Sequence, residues 1–174
     1  MLKRLLCLSV VLTALMVVPS VSFARLGETE DELIERFGQP VSDITAKDQV
    51  GIADKILMFK KGDTVIHATI YKGQCVSEGY QFMDSKGNEV AINGAALEKA
   101  DAALGANAAG FRWQKHPNPS AINPDMLHAW NRTDGAVAAI VWRNKPSILE
   151  INSMRFIKED NEAKRAAAAG SSGF

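Results

Sequence analysis

An α+β fold is predicted: two αβββ units whose strands form an antiparallel sheet with the helices packed on one face. Three observations carry this. Two segments with apolar residues at helical spacing each precede a set of strand-like runs. Within the sets, runs meet at tight turns, Gly62-Asp63, Lys72-Gly73 and Asp134-Gly135, which suit hairpins rather than crossovers. The order of helix then three strands occurs twice, as architecture only, with no matching string of residues. Such an order packs as two layers.

The elements follow in chain order. Residues 1–24 have the form of a secretory signal: Lys3 and Arg4, an apolar run from Leu5 to Val18, then Ser22-Phe23-Ala24 as a small-x-small exit. Thr29-Glu30-Asp31-Glu32 has the capping-box form, Leu33, Ile34 and Phe37 supply a stripe, and Gly38 with Pro40 ends the helix. A polar link leads to runs at Ile56–Lys61, Thr64–Tyr71 and Cys75–Met83. Asn93 caps a second helix carrying Leu97, Ala100 and Leu104, which stops within Ala106–Gly110. The prolines from Pro117 to Pro124 make a loop. Runs at Met126–Thr133, Ala136–Arg143 and Ser147–Ile157 complete the second unit. The units are thus about 25–90 and 91–157, and 158–174 is a charged, Ala-rich, flexible tail that extends as a frayed helix and ends disordered.

Removing the signal from 174 residues leaves 150, enough for a sizeable core without disulfide or metal staples. The 18 basic residues that remain face 20 acidic ones, which gives no excess to attract nucleic acid. No later apolar run approaches the roughly 20 residues of a membrane span. Cys7 lies inside the signal and is followed by more apolar sequence, so no lipid anchor is expected and Cys75 has no disulfide partner. The expected location is periplasmic or secreted, with cleavage after Ala24.

The stretch Leu26-Gly27-Glu28-Thr29-Glu30-Asp31-Glu32-Leu33 through Phe37-Gly38-Gln39-Pro40 resembles the G-x-T-x-x-E-[VL] … G-x-P opening of small exported bacterial domains. These include the SmpA/OmlA (BamE-like) outer-membrane assembly lipoproteins and the β-lactamase-inhibitor-like folds. The tandem order is similar to that of uncharacterised secreted bacterial proteins. The chain departs from the first group in lacking the anchoring cysteine and from the second in lacking disulfides. The resemblance implies a protein-binding scaffold with a concave sheet, and no catalysis.

The tight turns let strand faces be assigned. Leu57, Phe59, Ile66, Ala68, Ile70 and Cys75 form the expected core face, with His67, Tyr71, Glu78 and Tyr80 opposite. In the second unit Leu127, Ala129, Ala138, Ile140 and Trp142 are expected inside. His128, Trp130, Arg132, Val141 and Arg143 are expected outside. Trp130, Arg132 and Arg143, with His128 at the edge and Tyr80 on the first unit, are therefore the candidate partner patch, since Trp, Tyr and Arg dominate binding hot spots. The rival reading is a small envelope hydrolase with His67 and Glu78 as a cross-strand proton-transfer pair. His67, His116, His128 and Cys75 fit no zinc spacing, and no phosphate loop or serine-nucleophile motif is present. The expectation is an exported binding module without cofactor, metal or catalytic residues, whose partner is another exported or envelope protein.

Overall fold

The computed structural model describes residues 25–45 and 51–171, so the signal assigned to 1–24 lies outside the described residues. The first helix, α1 (Glu30–Phe37), starts as its sequence dictates. The Thr29 hydroxyl accepts from Glu32 N–H, and the Glu32 carboxylate accepts from Thr29 N–H at 2.7 Å. Gly38, at φ 85°, stops it. Four strands follow: β1 (Ser42–Thr45), β2 (Lys55–Lys61), β3 (Thr64–Tyr71) and β4 (Gln74–Phe82). Then come α2 (Gly94–Ala106), β5 (Trp113–Lys115), a 3-10 turn at Pro119–Ala121, β6 (Met126–Arg132), β7 (Val137–Trp142), β8 (Lys145–Ser153) and α3 (Met154–Ser171).

The predicted pair of αβββ units is corrected here. The strands form one continuous eight-stranded antiparallel sheet in the order β1-β2-β3-β4-β8-β7-β6-β5, and the described residues hold three helices. Two short edge strands escaped the sequence pattern. β1 lies in the polar link and is mostly exposed, and β5 spans only three residues before the proline loop. The third helix replaces the end of the predicted last strand and runs on through the tail to Ser171, where a frayed helix was expected. The β7 ladder runs out at Ser153, Met154 N–H bonds to Ala136 O, and the chain coils. Arg155–Glu159 and Lys164–Asp160 are i,i+4 ion pairs along α3. Phe156 packs on Tyr71, with ring centroids 5.7 Å apart, and Asp160 accepts from Ile52 N–H, so the first half of α3 is held to the sheet end.

The core lies between the sheet and the α1/α2 layer: Leu33, Leu57, Phe59, Tyr80, Phe82, Ala100, Leu104, Trp130, Val141, Leu149 and Ile151 belong to one cluster. Ala96, Ala100 and Ala103 of α2 are buried in that cluster, and Trp113 Nε1–H donates to Leu104 O at 2.6 Å. The hairpin turns set the registers as expected: Lys61 pairs with Thr64, Ile70 with Cys75 and Asn131 with Ala138. The Asp134-Gly135 connection is built differently from a two-residue type I′ turn. Only Gly135 takes a positive φ (71°), and its N–H bonds to Arg132 O, so the loop runs through four residues while conserving the register.

Candidate functional site

One bulge reorganises the face assignment of β4. Ile70 pairs with Cys75 but Thr69 pairs with Ser77, leaving Val76 as an extra residue. Side chains alternate, so one inserted residue reverses every later position of the strand. Cys75 still points inward, as expected, and is a free, buried thiol. Beyond the bulge, Glu78, Tyr80 and Phe82 point into the core and Ser77, Gly79 and Gln81 point away from it. Glu78 is thereby 0% exposed.

A polar cluster forms around that carboxyl. Tyr80 Oη–H donates to Glu78 Oε2 at 2.6 Å, and Asn107 Nδ2–H donates to the same oxygen at 2.9 Å. The Cys75 thiol sits 3.8 Å from Oε1. Asn107 arrives there because it is the C-cap of α2, its own N–H closing on Ala103 O and Leu104 O. Its Oδ1 accepts from Leu26 N–H at 2.9 Å, and its carbonyl accepts from Arg132 Nη1–H at 2.9 Å. Arg132 in turn grips Asp134 with two bonds of 2.9 and 2.7 Å and lies over the Phe111 ring. Burial pushes the Glu78 carboxyl up to about 7; the Tyr80 and Asn107 donors oppose this and the Glu28 charge adds to it. Burial, then the neighbouring Glu78, holds the Cys75 thiol well above its ordinary value, so it stays protonated and unreactive.

Two clefts flank this cluster. One, of about 310 Å³, lies where the β3–β4 turn, the start of β7 and α3 converge, with Leu26, Val76, Val137 and Phe156 in its walls. Its charged rim is self-satisfied: Glu159 bonds to Lys72 at 3.3 Å and to Arg155 at 2.8 Å. Arg155, then Tyr71 and Lys72, hold the Glu159 carboxyl down to about 2. The other cleft, of about 360 Å³, lies beside the α2 C-terminus between Arg25, Leu26, Asn107 and Arg132.

The five residues of the expected patch do not form one open surface. Trp130 is 5% exposed in the core, with Lys115 Nζ 5.5 Å from its ring centroid and His128 stacked at 5.7 Å. Tyr80 is wholly buried on Glu78. Arg132 joins the same cluster through Asn107, and Arg143, exposed, donates to Pro124 O at 2.9 Å. The β6–β7 register was read correctly from Asn131/Ala138 to His128/Val141 and then slips, Met126 rather than Leu127 pairing with Trp142; along the matched stretch the two faces were exchanged, while Leu127, expected inside, does pack on the core. Trp130, Ala139 and Val141 face the helices, and Ile140 and Trp142 face away, where Trp142 Nε1–H donates to Glu150. Ladder pairing alone is symmetric between the two faces, and Trp130 lies on the one that joins Ala96, Ala100, Ala103 and Leu104 of α2 in the core cluster.

The His67/Glu78 pair is likewise undone. His67 pairs with Gly79, on the side away from the helices, while Glu78 is inside. Burial of the His67 ring lowers its pKa, with Gln81 opposing and Lys145 reinforcing. Its Nε2 is buried without a partner. Among the described residues no three His, Cys, Asp or Glu side chains converge on a metal position, and no helix is long and apolar enough to cross a membrane. The Glu78–Asn107 contact escaped the sequence reading; its signals were an acidic residue inside an otherwise core-forming strand and an asparagine ending an alanine helix.

Compared with known proteins, the chain matches no family model, no curated protein and no solved structure.

Proposed function

We propose that this chain is an exported, non-catalytic binding module that grips another envelope protein through the face of its sheet turned away from α1 and α2. One observation carries the reading. Met58, Ile140 and Ile148, with Ile56 and Val65, share that face; all are only partly buried, with Trp142 beside them and Ile44 39% exposed at the β1 edge. An apolar band of this kind, framed by His67, Gln81 and Glu150, has the mixed composition of interaction sites. The Lys3-Arg4 start and the Ser22-Phe23-Ala24 exit support export, and the resemblance of residues 26–40 to assembly-lipoprotein openings supports binding over catalysis.

The test is in-cell photo-crosslinking from positions 58 and 140 on the open face and from position 98 on the exposed side of α2. One discrete partner should be captured from the first two and lost on Trp142→Ala, with the unfolding midpoint little changed. Capture of the same partner only from position 98, or capture indifferent to Trp142, overturns the assignment of this face.

A further inference from the structure

The seam between the two halves of the sheet is closed by a short strap, Leu26–Glu28. Leu26 N–H bonds to Asn107 Oδ1 (2.9 Å), Gly27 N–H to Cys75 O (2.8 Å), and Glu28 O accepts from Cys75 N–H (2.7 Å). Leu26 and Arg132 stand in the walls of both clefts, so strap and guanidinium together divide one from the other. Under the strap is Glu78, whose hydrogen-bonding neighbours Tyr80, Asn107 and Cys75 are all neutral.

We propose that the strap is a proton-operated latch: it stays closed over protonated Glu78 and lifts when Glu78 ionises, hydrating the carboxylate and joining the two clefts into one groove.

Two forces act in that direction. A carboxylate sealed from water is costly unless fully compensated, and opening the strap returns water to it. The strap also carries Glu28, a like charge that disfavours ionised Glu78 and is only partly offset by its pairing with Arg36 of α1. The other groups near Glu78 among the described residues are these. Cys75 and Tyr80 are on its own strand, and Arg132 of β6 reaches it only through the Asn107 carbonyl and is paired with Asp134. The ladder neighbours Ala68 of β3 and Ile151 of β8 carry no charge. The donors from Tyr80 and Asn107 offset part of the cost but not all of it, since the carboxyl remains displaced upward, to about 7. The latch therefore works around neutral pH.

Amide hydrogen exchange of the full chain from pH 5.5 to 8.5 tests this. Each rate is divided by that of an unstructured peptide at the same pH, so that intrinsic base catalysis cancels. Protection at Leu26, Gly27 and Cys75 should fall by up to about tenfold per pH unit from pH 5.5 to 7, where the hydrated carboxyl is ionised and the sealed one is not, and level off above pH 7, as for an opening linked to one proton. Phe59 and Ile66, which exchange only when the whole molecule unfolds, should stay more protected than the strap at every pH. In Glu78→Gln the strap amides should lose the pH dependence. Should that variant fail to fold, Tyr80→Phe serves instead: removing a donor to the carboxylate should move the step to higher pH. The latch is overturned by flat strap protection in the wild type, by strap protection no lower than that of Phe59 and Ile66, by an undiminished step in Glu78→Gln, or by an unmoved step in Tyr80→Phe.

Discussion

Replacing Glu78 with glutamine exchanges a buried ionisable group for a neutral one of the same shape. It should stabilise the protein in mildly alkaline solution and leave it nearly unchanged in acid. The carboxyl is displaced from 4.5 to about 7 in the folded protein, which at about 1.4 kcal/mol for each pH unit amounts to about 3 kcal/mol. For an acid displaced upward, the folded state holds the proton more tightly. Wild-type stability is then full below pH 4.5, declines as pH rises towards 7, and levels off above that. The variant lacks this decline, so its advantage should grow from near zero at pH 4.5 to at most about 3 kcal/mol at pH 8. The ceiling is set by the amide, which reproduces the bonds to Tyr80 and Asn107 only in part. His67 and His128, both lowered by burial, act in the opposite sense, since their contribution is lost as pH falls. They are common to both proteins and cancel in the difference. Urea unfolding of the two proteins at half-unit steps from pH 4.5 to 8.5 gives the curve directly. Parallel profiles, or a variant weaker than wild type at pH 8, would refute the reasoning.

Trp130→Ala should cost roughly 3–5 kcal/mol, the loss expected for a large buried aromatic, because the indole is 5% exposed beneath the helices. A variant with an unchanged urea midpoint would put the ring outside the core. Thr29→Ala removes the cap of α1 and with it the reciprocal bond of the capping box; a loss of about 1 kcal/mol is expected from the same assay, and no loss would mean that the helix start is held by packing alone.

The parts of the fold governed by local chemistry were legible in the sequence. The Thr29–Glu32 box, the Gly38 stop, the pairings next to the three hairpin turns and the burial of Cys75 all follow from residues a few positions apart. What escaped depends on distant partners. β1 and β5 are strands only because β2 and β6 offer them an edge. The end of β8 turns helical only because β7 stops supplying partners. The site failed for a sharper reason: the Val76 bulge leaves no mark in a period-two pattern, yet it carries Glu78 and Tyr80 to the other side of the sheet. In the second half the pairing was right and the face wrong, because Ala129 and Ile140 look as core-like as Trp130 and Val141 until the position of α2 is known.

The sheet order also bears on how the molecule assembles. Every ladder but one joins neighbouring strands of the chain; the β4–β8 ladder alone joins residues as far as 75 positions apart, at Ser77 and Asn152. Closing that long loop carries the largest entropic cost, so each four-strand meander can zip before the two are joined. Glu78, paired across the seam with Ile151, loses its water only at this joining step. A chain refolding above neutral pH must then discharge or bury an anion at its slowest event. Refolding should be slower at pH 8 than at pH 5, and stopped-flow traces of Glu78→Gln, where the difference should vanish, give the check.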